Sequence, residues 1–397
     1  MVLFEKKQNC CACEACVNSC PKAAISMQED EFGFRYPQID NSNCIECGLC
    51  QKVCAFQNID EVNLPIKTHV AAAKDNNLIS KSASGGIFAV LAKKIISNGG
   101  YVCGATLTIE NDKVNVKHIL IDKEEDIKLL QGSKYVQSNI NGCFKKIKQL
   151  LMDGKTVLFS GTPCQCAGLK AFLRKPYENL IIVDIICHGV PNQRFLNDYL
   201  EYKYSSKVQI TNFAFRDKSS GWGLLGRIDY KNGASKTIPA GLSSYYSLFL
   251  DSQTYRENCY NCKYASRNRP GDLTLGDYWG IQREHPELIA SKKYNPERGI
   301  SCIIVNTVKG QSILKSIENN IVIDDSTYEK VANRNTQLLQ PSKRGKYYDM
   351  IFESYRNLGY AAVDKLFYKY YKKQILIHSV FSKLPFGVKE IIRKILN

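Results

Sequence analysis

The chain has 397 residues, of which 44% are hydrophobic and 23% charged, a composition typical of a folded protein and not of a disordered one. This length is enough for two or three domains. The formal net charge of +16 suggests nucleic-acid binding. However, no RRM, KH or zinc-finger spacing accompanies the charge, so binding to nucleic acid is disfavoured.

Half of this charge lies in residues 343–397, which contain twelve Lys and Arg against four Asp and Glu. Such a tail on a basic body suits an acidic partner protein, such as a ferredoxin, or an anionic membrane surface. The longest apolar run, residues 180–187, contains Asp184 and is far shorter than the roughly 18 residues that span a membrane. We therefore predict no transmembrane anchor. The oligomeric state stays open.

Two runs of cysteines near the N-terminus repeat the spacing C-x2-C-x2-C-x3-C. The first run consists of Cys10, Cys13, Cys16 and Cys20, and the second of Cys44, Cys47, Cys50 and Cys54. In the bacterial ferredoxin pattern, the fourth cysteine of one run ligates the cluster held by the other run. The spacing predicts two [4Fe–4S] clusters, one on Cys10, Cys13, Cys16 and Cys54 and one on Cys44, Cys47, Cys50 and Cys20.

Disulfides and zinc are the competing interpretations of these cysteines. The cysteine total of 17 is odd, and the first seven residues lack the apolar segment of a signal peptide, so we predict a cytoplasmic protein with reduced thiols. Structural zinc usually uses separated C-x2-C pairs. Two details depart from the ferredoxin pattern: Cys11 is a surplus thiol, and Ala55 stands where a second proline often follows.

Between the two runs, residues 29–40 predict a hairpin with Gly33 in its turn. The polar stretch 58–67 predicts a domain boundary, so the first module covers residues 1–66. Residues 82–96 predict a helix preceded by a serine cap and two glycines. Such a turn has two interpretations: it either brings backbone N–H groups close to a phosphate or is an ordinary helix cap. A strand at 101–107 and a helix at 142–152 follow.

Two further cysteines follow predicted β-strands. Cys164 comes after the strand that begins at Lys155, before a helix starting near Gln165, and Cys187 ends the strand 180–186. In open α/β sheets, ligands bind at the carboxyl ends of strands. With the C-x2-C pair Cys259 and Cys262, these thiols predict a third cluster. A zinc site or scattered buried thiols are the open alternatives.

The remaining sequence predicts mixed α and β structure. Residues 213–238 predict antiparallel strands with a hairpin at Asn232-Gly233. Strands at 272–277 and 300–307 and a helix at 311–317 follow, and neither a dinucleotide-binding glycine motif nor a P-loop occurs. Residues 341–397 predict a basic helical extension, which either packs its aromatic side on the body or lies on a membrane surface.

Together, these motifs resemble the β subunits of coenzyme F420-reducing hydrogenase and F420-linked dehydrogenases, preceded by a two-cluster ferredoxin module. The matching stretches are 82–86, 132–138, 160–165, 187–191, 259–262 and 271–280, spread over about residues 67–310. We expect an α+β or α/β protein in three parts. These are a ferredoxin-like module (1–66), a mixed α/β body carrying flavin and an iron–sulfur cluster (67–340) and a helical C-terminal extension (341–397).

The resemblance implies one FAD and one [4Fe–4S] cluster in the body. The implied cluster ligands are Cys164, Cys187, Cys259 and Cys262. The implied FAD contacts are Ser84, Gly85, Gly86, Ser133, Lys134 and Tyr135, with Lys134 offering a cation to a phosphate or to the reduced flavin. The family also contains ferredoxin-dependent reductases of chlorophyll derivatives, so the fold does not fix the substrate.

This set of cofactors predicts an enzyme that converts between one-electron and two-electron chemistry, because iron–sulfur clusters carry single electrons and flavin stores a pair. Its redox partner would be either a ferredoxin, which carries single electrons, or an F420-like deazaflavin. His188 and Asp277 are candidate proton donors. Alternatively, His188 hydrogen-bonds a cluster sulfur and Asp277 caps a turn. The competing function is an electron-relay subunit without a substrate site of its own.

Overall fold

The computed structural model describes residues 3–58, 62–204 and 208–383. Its strands are, in chain order, β1 (Ile25–Glu29), β2 (Arg35–Ile39), β3 (Lys67–Ala73), β4 (Tyr101–Glu110), β5 (Lys113–Ile121), β6 (Val157–Gly161), β7 (Leu180–Ile185), β8 (Ile210–Ala214), β9 (Leu225–Tyr230), β10 (Ser235–Pro239), β11 (Leu273–Asp277), β12 (Ser301–Val305) and β13 (Ile321–Ser326).

The α-helices are α1 (Ala15–Ser19), α2 (Leu49–Lys52), α3 (Asn76–Lys81), α4 (Ile87–Ser97), α5 (Ile127–Leu130), α6 (Cys143–Met152), α7 (Pro163–Leu173), α8 (Gln193–Tyr204), α9 (Ser244–Leu250), α10 (Ile281–Glu284), α11 (Pro286–Ala290), α12 (Val308–Lys315), α13 (Tyr328–Ala332), α14 (Tyr348–Leu358), α15 (Tyr360–Tyr370) and α16 (Lys372–Lys383).

An eight-stranded sheet forms the centre of the body, in the order β13-β3-β12-β11-β7-β6-β4-β5. The four strands β11, β7, β6 and β4 are parallel, and the flanking pairs are antiparallel. The carboxyl ends of β6, β7 and β11 therefore meet at one edge. The mixed α/β class, with a ferredoxin-like N-terminal module and a helical C-terminal region, is confirmed.

The central strands are buried on both faces, which explains why β7 is apolar except for Asp184 over most of its length. Ile181 and Val183 of β7 join a core with α4, α5, α12 and α13. Leu180 and Ile182 face the opposite side, where α6 and α7 pack together with the N-terminal cysteine module. The module thus shares a hydrophobic core with the body.

A second sheet, β10-β9-β8, belongs to an aromatic core with α8, α9, α14 and α15. Phe352 of α14 contacts Phe32 and Phe34 of the N-terminal hairpin, with ring centroids 5.4 and 5.5 Å apart. The predicted packing of an aromatic side on the body is thus observed for α14 and α15. Residues 384–397 lie outside the described residues. Among those described, no helix is both long and apolar enough to cross a bilayer.

The antiparallel hairpins β1–β2 and β9–β10 confirm two sequence predictions. The helix α7 begins at Pro163, slightly before the predicted start, because Thr162 and Gln165 form a capping box. The prediction of a serine cap for α4 is wrong. Its cap is Gly86, whose φ of +84° is in the left-handed region that glycine adopts without strain.

A buried ion pair joins β7 to the segment that follows Cys262. Arg269 Nη2 lies 2.6 Å from Asp184 Oδ1, and both side chains are almost fully buried. Arg269 also donates to the carbonyls of Tyr264 and Ile185, at 2.8 and 3.0 Å. The second carboxylate oxygen of Asp184 accepts from Gly271 N at 2.9 Å. The pair therefore fixes the C-x2-C segment against the strand that leads to Cys187.

We expect Asp184→Asn to lower the free energy of unfolding by about 3–5 kcal/mol, because it leaves the buried Arg269 charge uncompensated. The matched control is Glu329→Gln, which removes the exposed partner of Arg267 and should change stability little. Urea unfolding of the anaerobically purified chain, followed by circular dichroism, measures both. Equal, small losses in the two variants would show that the buried pair does not hold this segment.

Candidate functional site

Each of the two crossed ligand sets that the spacing predicts lines a small cavity. Cys10, Cys13, Cys16 and Cys54 line the first, together with Cys11 and Cys50, and Cys20, Cys44, Cys47 and Cys50 line the second, so Cys50 borders both. The assignment of four ligands to each cluster stays a prediction. The short helix α1 explains the crossing, because Cys16 lies within it and Cys20 at its C-terminal end. Cys47 is exposed. We call these groups the inner set and the outer set, respectively.

The four body cysteines form a third group, the body set. Cys164 lies in the first turn of α7 after β6, Cys187 follows β7, and Cys259 and Cys262 lie in or beside the short turn of residues 257–261. All four line one cavity of about 600 Å³ at the carboxyl edge of the parallel strands. Burial and the nearby Cys164 and Cys262 thiols raise the pKa of Cys187 to about 12.

The spacing of these side chains bears on the zinc alternative. Across the described ranges, no three His, Cys, Asp or Glu side chains converge where a single ion would be held. A zinc ion requires sulfur ligands about 2.3 Å from one centre, whereas a [4Fe–4S] cluster binds each cysteine through a different iron. The cluster and zinc interpretations of the body set therefore both stay predictions.

The inner set and the body set meet at Cys11. Electrostatic interactions join its buried thiol to the thiols of Cys13 and Cys164, and Cys11 lines the cavities of both sets. Gly168 of α7 packs on the same place, since a Cβ there would lie 2.8 Å from Cys13 Cβ and 2.9 Å from its Sγ. The surplus cysteine of the first run thus occupies the contact between the module and the body.

Hydrogen bonds fix this contact on several sides. The buried Glu14 carboxylate accepts from the N–H groups of Ile140 and Asn141, at 3.0 and 3.3 Å. Burial raises the pKa of Glu14, and these bonds oppose that shift. Gln137 Nε2 donates to the Cys11 carbonyl at 3.0 Å, and the Tyr264 hydroxyl donates to the Ala55 carbonyl. The module is thus held in one orientation on the body.

Most of the residues proposed for FAD line the same cavity as the body set. The side chains or backbone of Ser84, Gly86, Ser133, Lys134 and Tyr135 line it. Gly85 does not. Its N–H donates to Ser301 Oγ at 2.9 Å, and a Cβ there would lie 2.8 Å from the Ala71 carbonyl oxygen. Gly85 is therefore required for close packing of the loop on the sheet.

Lys134 does not offer a free cation in this structure. Its Nζ donates to the carbonyls of Leu130, Gln131 and Gly132, at 3.0, 2.7 and 3.3 Å, which uses all three ammonium protons. Burial lowers its pKa to about 7. Ser84 is occupied as well, because its hydroxyl donates to the Ile300 carbonyl at 2.8 Å. Both side chains shape the cavity wall.

His188 and Asp277 both line the cavity. Burial lowers the pKa of His188, and the charge of Asp277 opposes this shift. Asp277 Oδ2 accepts from Arg216 Nη1 at 2.5 Å, while Oδ1 is buried without a partner among the described residues. Asp277 is therefore one member of a buried ion pair at the end of β11.

Arg216 was not among the residues predicted from the sequence. Its guanidinium lies over the rings of Trp279 and Trp222, 5.4 and 6.0 Å from their centroids, and the two rings stack at 4.6 Å. Arg216 Nη2 is buried without a geometric hydrogen-bond partner in the described part of the chain, and an electrostatic interaction joins the guanidinium to the Tyr135 hydroxyl. The chain has only two tryptophans, and they were the one available sequence signal for this cluster. The ion pair and the stacked tryptophans meet near the end of β11, where Asp277 and Trp279, but not Arg216, line the cavity.

Comparison with known proteins identifies two parts of the chain. Residues 154–330 match the family model for the C-terminal part of the beta subunit of coenzyme F420 hydrogenase/dehydrogenase, and residues 9–58 match "4Fe-4S dicluster domain". These matches confirm the resemblance inferred from the sequence motifs and support a redox role with iron–sulfur clusters. Residues 82–86 and 132–138 lie outside both matches.

Among solved structures, a chain of the F420-reducing [NiFe] hydrogenase complex from Methanosarcina barkeri is similar. It is 14% identical, the alignment covers 77% of this chain and 92% of that chain, and the TM-score is 0.41. No curated protein matches significantly.

Cys11 lines the same cavity as the inner set, but the cysteine spacing predicts that it is not a cluster ligand. We expect Cys11→Ala to keep the iron content of the unmodified protein, whereas Cys13→Ala should lose about four irons per chain, the content of one cluster. Iron and sulfide analysis of anaerobically purified variants measures both. Loss of a cluster in Cys11→Ala, with iron retained in Cys13→Ala, would exchange the two assignments.

Proposed function

We propose that this chain, whose residues 154–330 match the F420 hydrogenase/dehydrogenase β-subunit family, is an iron–sulfur flavoprotein oxidoreductase. It would pass electrons between a one-electron carrier such as ferredoxin, or an F420-like deazaflavin, and a two-electron acceptor. Its cofactors would be three [4Fe–4S] clusters and one FAD. We place it in the cytoplasm.

One observation carries this proposal: the body set and the candidate flavin loops line the same cavity. Its volume of about 600 Å³ lies within the roughly 300–1,000 Å³ typical of cofactor and ligand sites. Cys164, Cys187, Cys259 and Cys262 line it together with residues 82–84, 86–88 and 130–138. A cluster and an organic cofactor placed here would be neighbours.

The lining of the cavity suits a flavin ring. Apolar side chains such as Ile87, Leu130 and Leu275 form part of the wall, and Trp279 adds an aromatic face. Asp277 Oδ1, which is buried without a partner among the residues described, supplies an acceptor for an N–H group of a bound ring. When bound there, FAD would supply storage for two electrons and exchange of a hydride.

His188 and Asp277 have different tasks in this proposal. Because burial lowers the pKa of His188, its imidazole is neutral at physiological pH and can accept or relay a proton at the cavity. Arg216 Nη1 donates a hydrogen bond to Asp277 Oδ2, so Oδ1 is the carboxylate oxygen that can accept a hydrogen bond from a ligand and orient it. We therefore assign proton transfer to His188 and ligand orientation to Asp277.

The order of the three cysteine sets fits electron exchange with a separate protein. The outer set contains the exposed Cys47, the inner set contacts the body through Cys11, and the body set lies at the cavity. The excess of positive charge favours an acidic partner. The surface end would thus meet the one-electron carrier and the cavity end the two-electron acceptor.

A second candidate is a relay subunit that passes electrons to another protein and has no substrate of its own. The exposed side chains of Leu376, Ile377 and Val380 on α16 favour it, because large apolar residues on one exposed helix are typical of a surface covered by another protein. Truncation at residue 371 separates the two functions. A self-contained enzyme keeps turnover with an artificial dye, whereas a relay loses its partner.

Quantitation of iron, sulfide and flavin on one anaerobic sample tests the main proposal. We expect about twelve irons and one FAD per chain. Cys164→Ala should lose about four irons, while Cys166→Ala, a buried neighbour outside the cavity lining, should lose none. About eight irons without flavin in the unmodified chain would contradict the proposal and leave the dicluster module alone.

A further inference from the structure

Arg256 is a completely buried cation without a carboxylate partner. Its side chain is 0% exposed, and neither Nη1 nor Nη2 has a hydrogen-bond partner among the described residues. The adjacent Glu257 pairs with Arg344 instead, at 3.4 Å. A buried charge is costly unless it is paired and hydrogen-bonded, so these unsatisfied N–H groups indicate a missing anion.

The guanidinium is held firmly in place by its other contacts. Arg256 Cζ lies 3.9 Å from the centroid of the Tyr36 ring, and Nε donates to the Cys10 carbonyl at 2.9 Å. On the backbone, Arg256 N donates to Val190 O, and its own carbonyl accepts from Cys259 N, both at 2.9 Å. Only the two terminal nitrogens are left free of partners in the described structure.

These contacts place Arg256 between the inner set and the body set. Its Nε donates a hydrogen bond to the backbone carbonyl of Cys10, which belongs to the inner set. Its own carbonyl accepts a hydrogen bond from the N–H of Cys259, which belongs to the body set. Electrostatic interactions join its charge to the thiols of Cys10, Cys11 and Cys259. The positive charge of Arg256 also interacts electrostatically with the Cys164 thiol. The contacts described for the guanidinium are with the Cys10 carbonyl and the rings of Tyr36 and Phe34, and none of them is with a carboxylate.

We propose that Arg256 is a positioning residue that lies between two iron–sulfur clusters and donates its free Nη hydrogens to their sulfur atoms. The inference rests on the proposed cluster of the body set. A [4Fe–4S] cluster with four thiolates is an anion, which is the chemistry that the unpaired guanidinium lacks. Hydrogen bonds to sulfur and local charge both set the reduction potential of a cluster.

The expected consequence is a higher reduction potential at both clusters. Reduction adds one negative charge to a cluster, and a fixed cation nearby stabilises the reduced form more than the oxidised form. Arg256 would also lessen the repulsion between two reduced clusters in contact. Lysine would keep the positive charge, but it lacks the planar guanidinium that can donate hydrogen bonds to two acceptors at once.

An EPR-monitored redox titration of the full chain tests this inference. In Arg256→Met we expect the equilibrium constant for reduction to fall about tenfold at the inner and body clusters, which for one electron corresponds to about 59 mV. The outer cluster should not shift and serves as an internal reference. Arg256→Lys should recover part of the loss. If Arg256→Met does not accumulate, Arg256→Gln, which is also uncharged, replaces it.

Arg344→Met is the matched control, since it removes a positive charge from the neighbouring surface and should leave all three potentials unchanged. Unshifted potentials in an Arg256→Met protein with about twelve irons would overturn the inference while leaving the proposed function intact. Loss of the inner cluster in that variant would show a purely structural role and would also overturn it. About eight irons in the unmodified chain would contradict the proposed function itself, and the inference with it.

Discussion

Close packing of the N-terminal module on the body determines how every other part of the site is arranged. Single electrons move between centres only where those centres are near one another, so a ferredoxin-like module on a free linker would serve poorly. Here Gly168 allows α7 to approach Cys13 without a side chain between them, and Cys11 lines the same cavity as Cys164. The buried Glu14 carboxylate, bonded to two backbone N–H groups, fixes the orientation.

The parallel strands extend this arrangement to the cavity. Because β6, β7 and β11 end at one edge of the sheet, Cys164, Cys187 and Asp277 come together although they are far apart in the chain. The Arg269–Asp184 pair then holds the Cys259 and Cys262 segment against the same edge. Three buried arginines have distinct partners here. Arg269 and Arg216 are paired with aspartates, and Arg256 faces thiols.

Local patterns made much of this predictable from the sequence. The observed hairpins and the strand ends before Cys164 and Cys187 follow from short apolar runs and turn residues, and the spacing within residues 10–54 predicts the crossed cysteine sets. Interactions between distant segments were not predictable. Arg256 meets Cys10 across 246 positions, and Arg216 meets Asp277 across 61. The sequence predicted a free cation at Lys134. In the structure, its ammonium group donates hydrogen bonds to nearby backbone carbonyls, and no side-chain pattern reveals such contacts.

If the cysteine sets of the module and the body hold clusters in direct succession, neighbouring clusters must interact magnetically when both are reduced. The most direct measurement is the EPR spectrum of the dithionite-reduced protein, compared with that of Cys164→Ala. We expect broadened and split signals from the inner and body clusters, which simplify to those of a dicluster ferredoxin in the variant. A spectrum of the unmodified protein that equals the sum of independent clusters, or that does not change in Cys164→Ala, would contradict this succession of clusters.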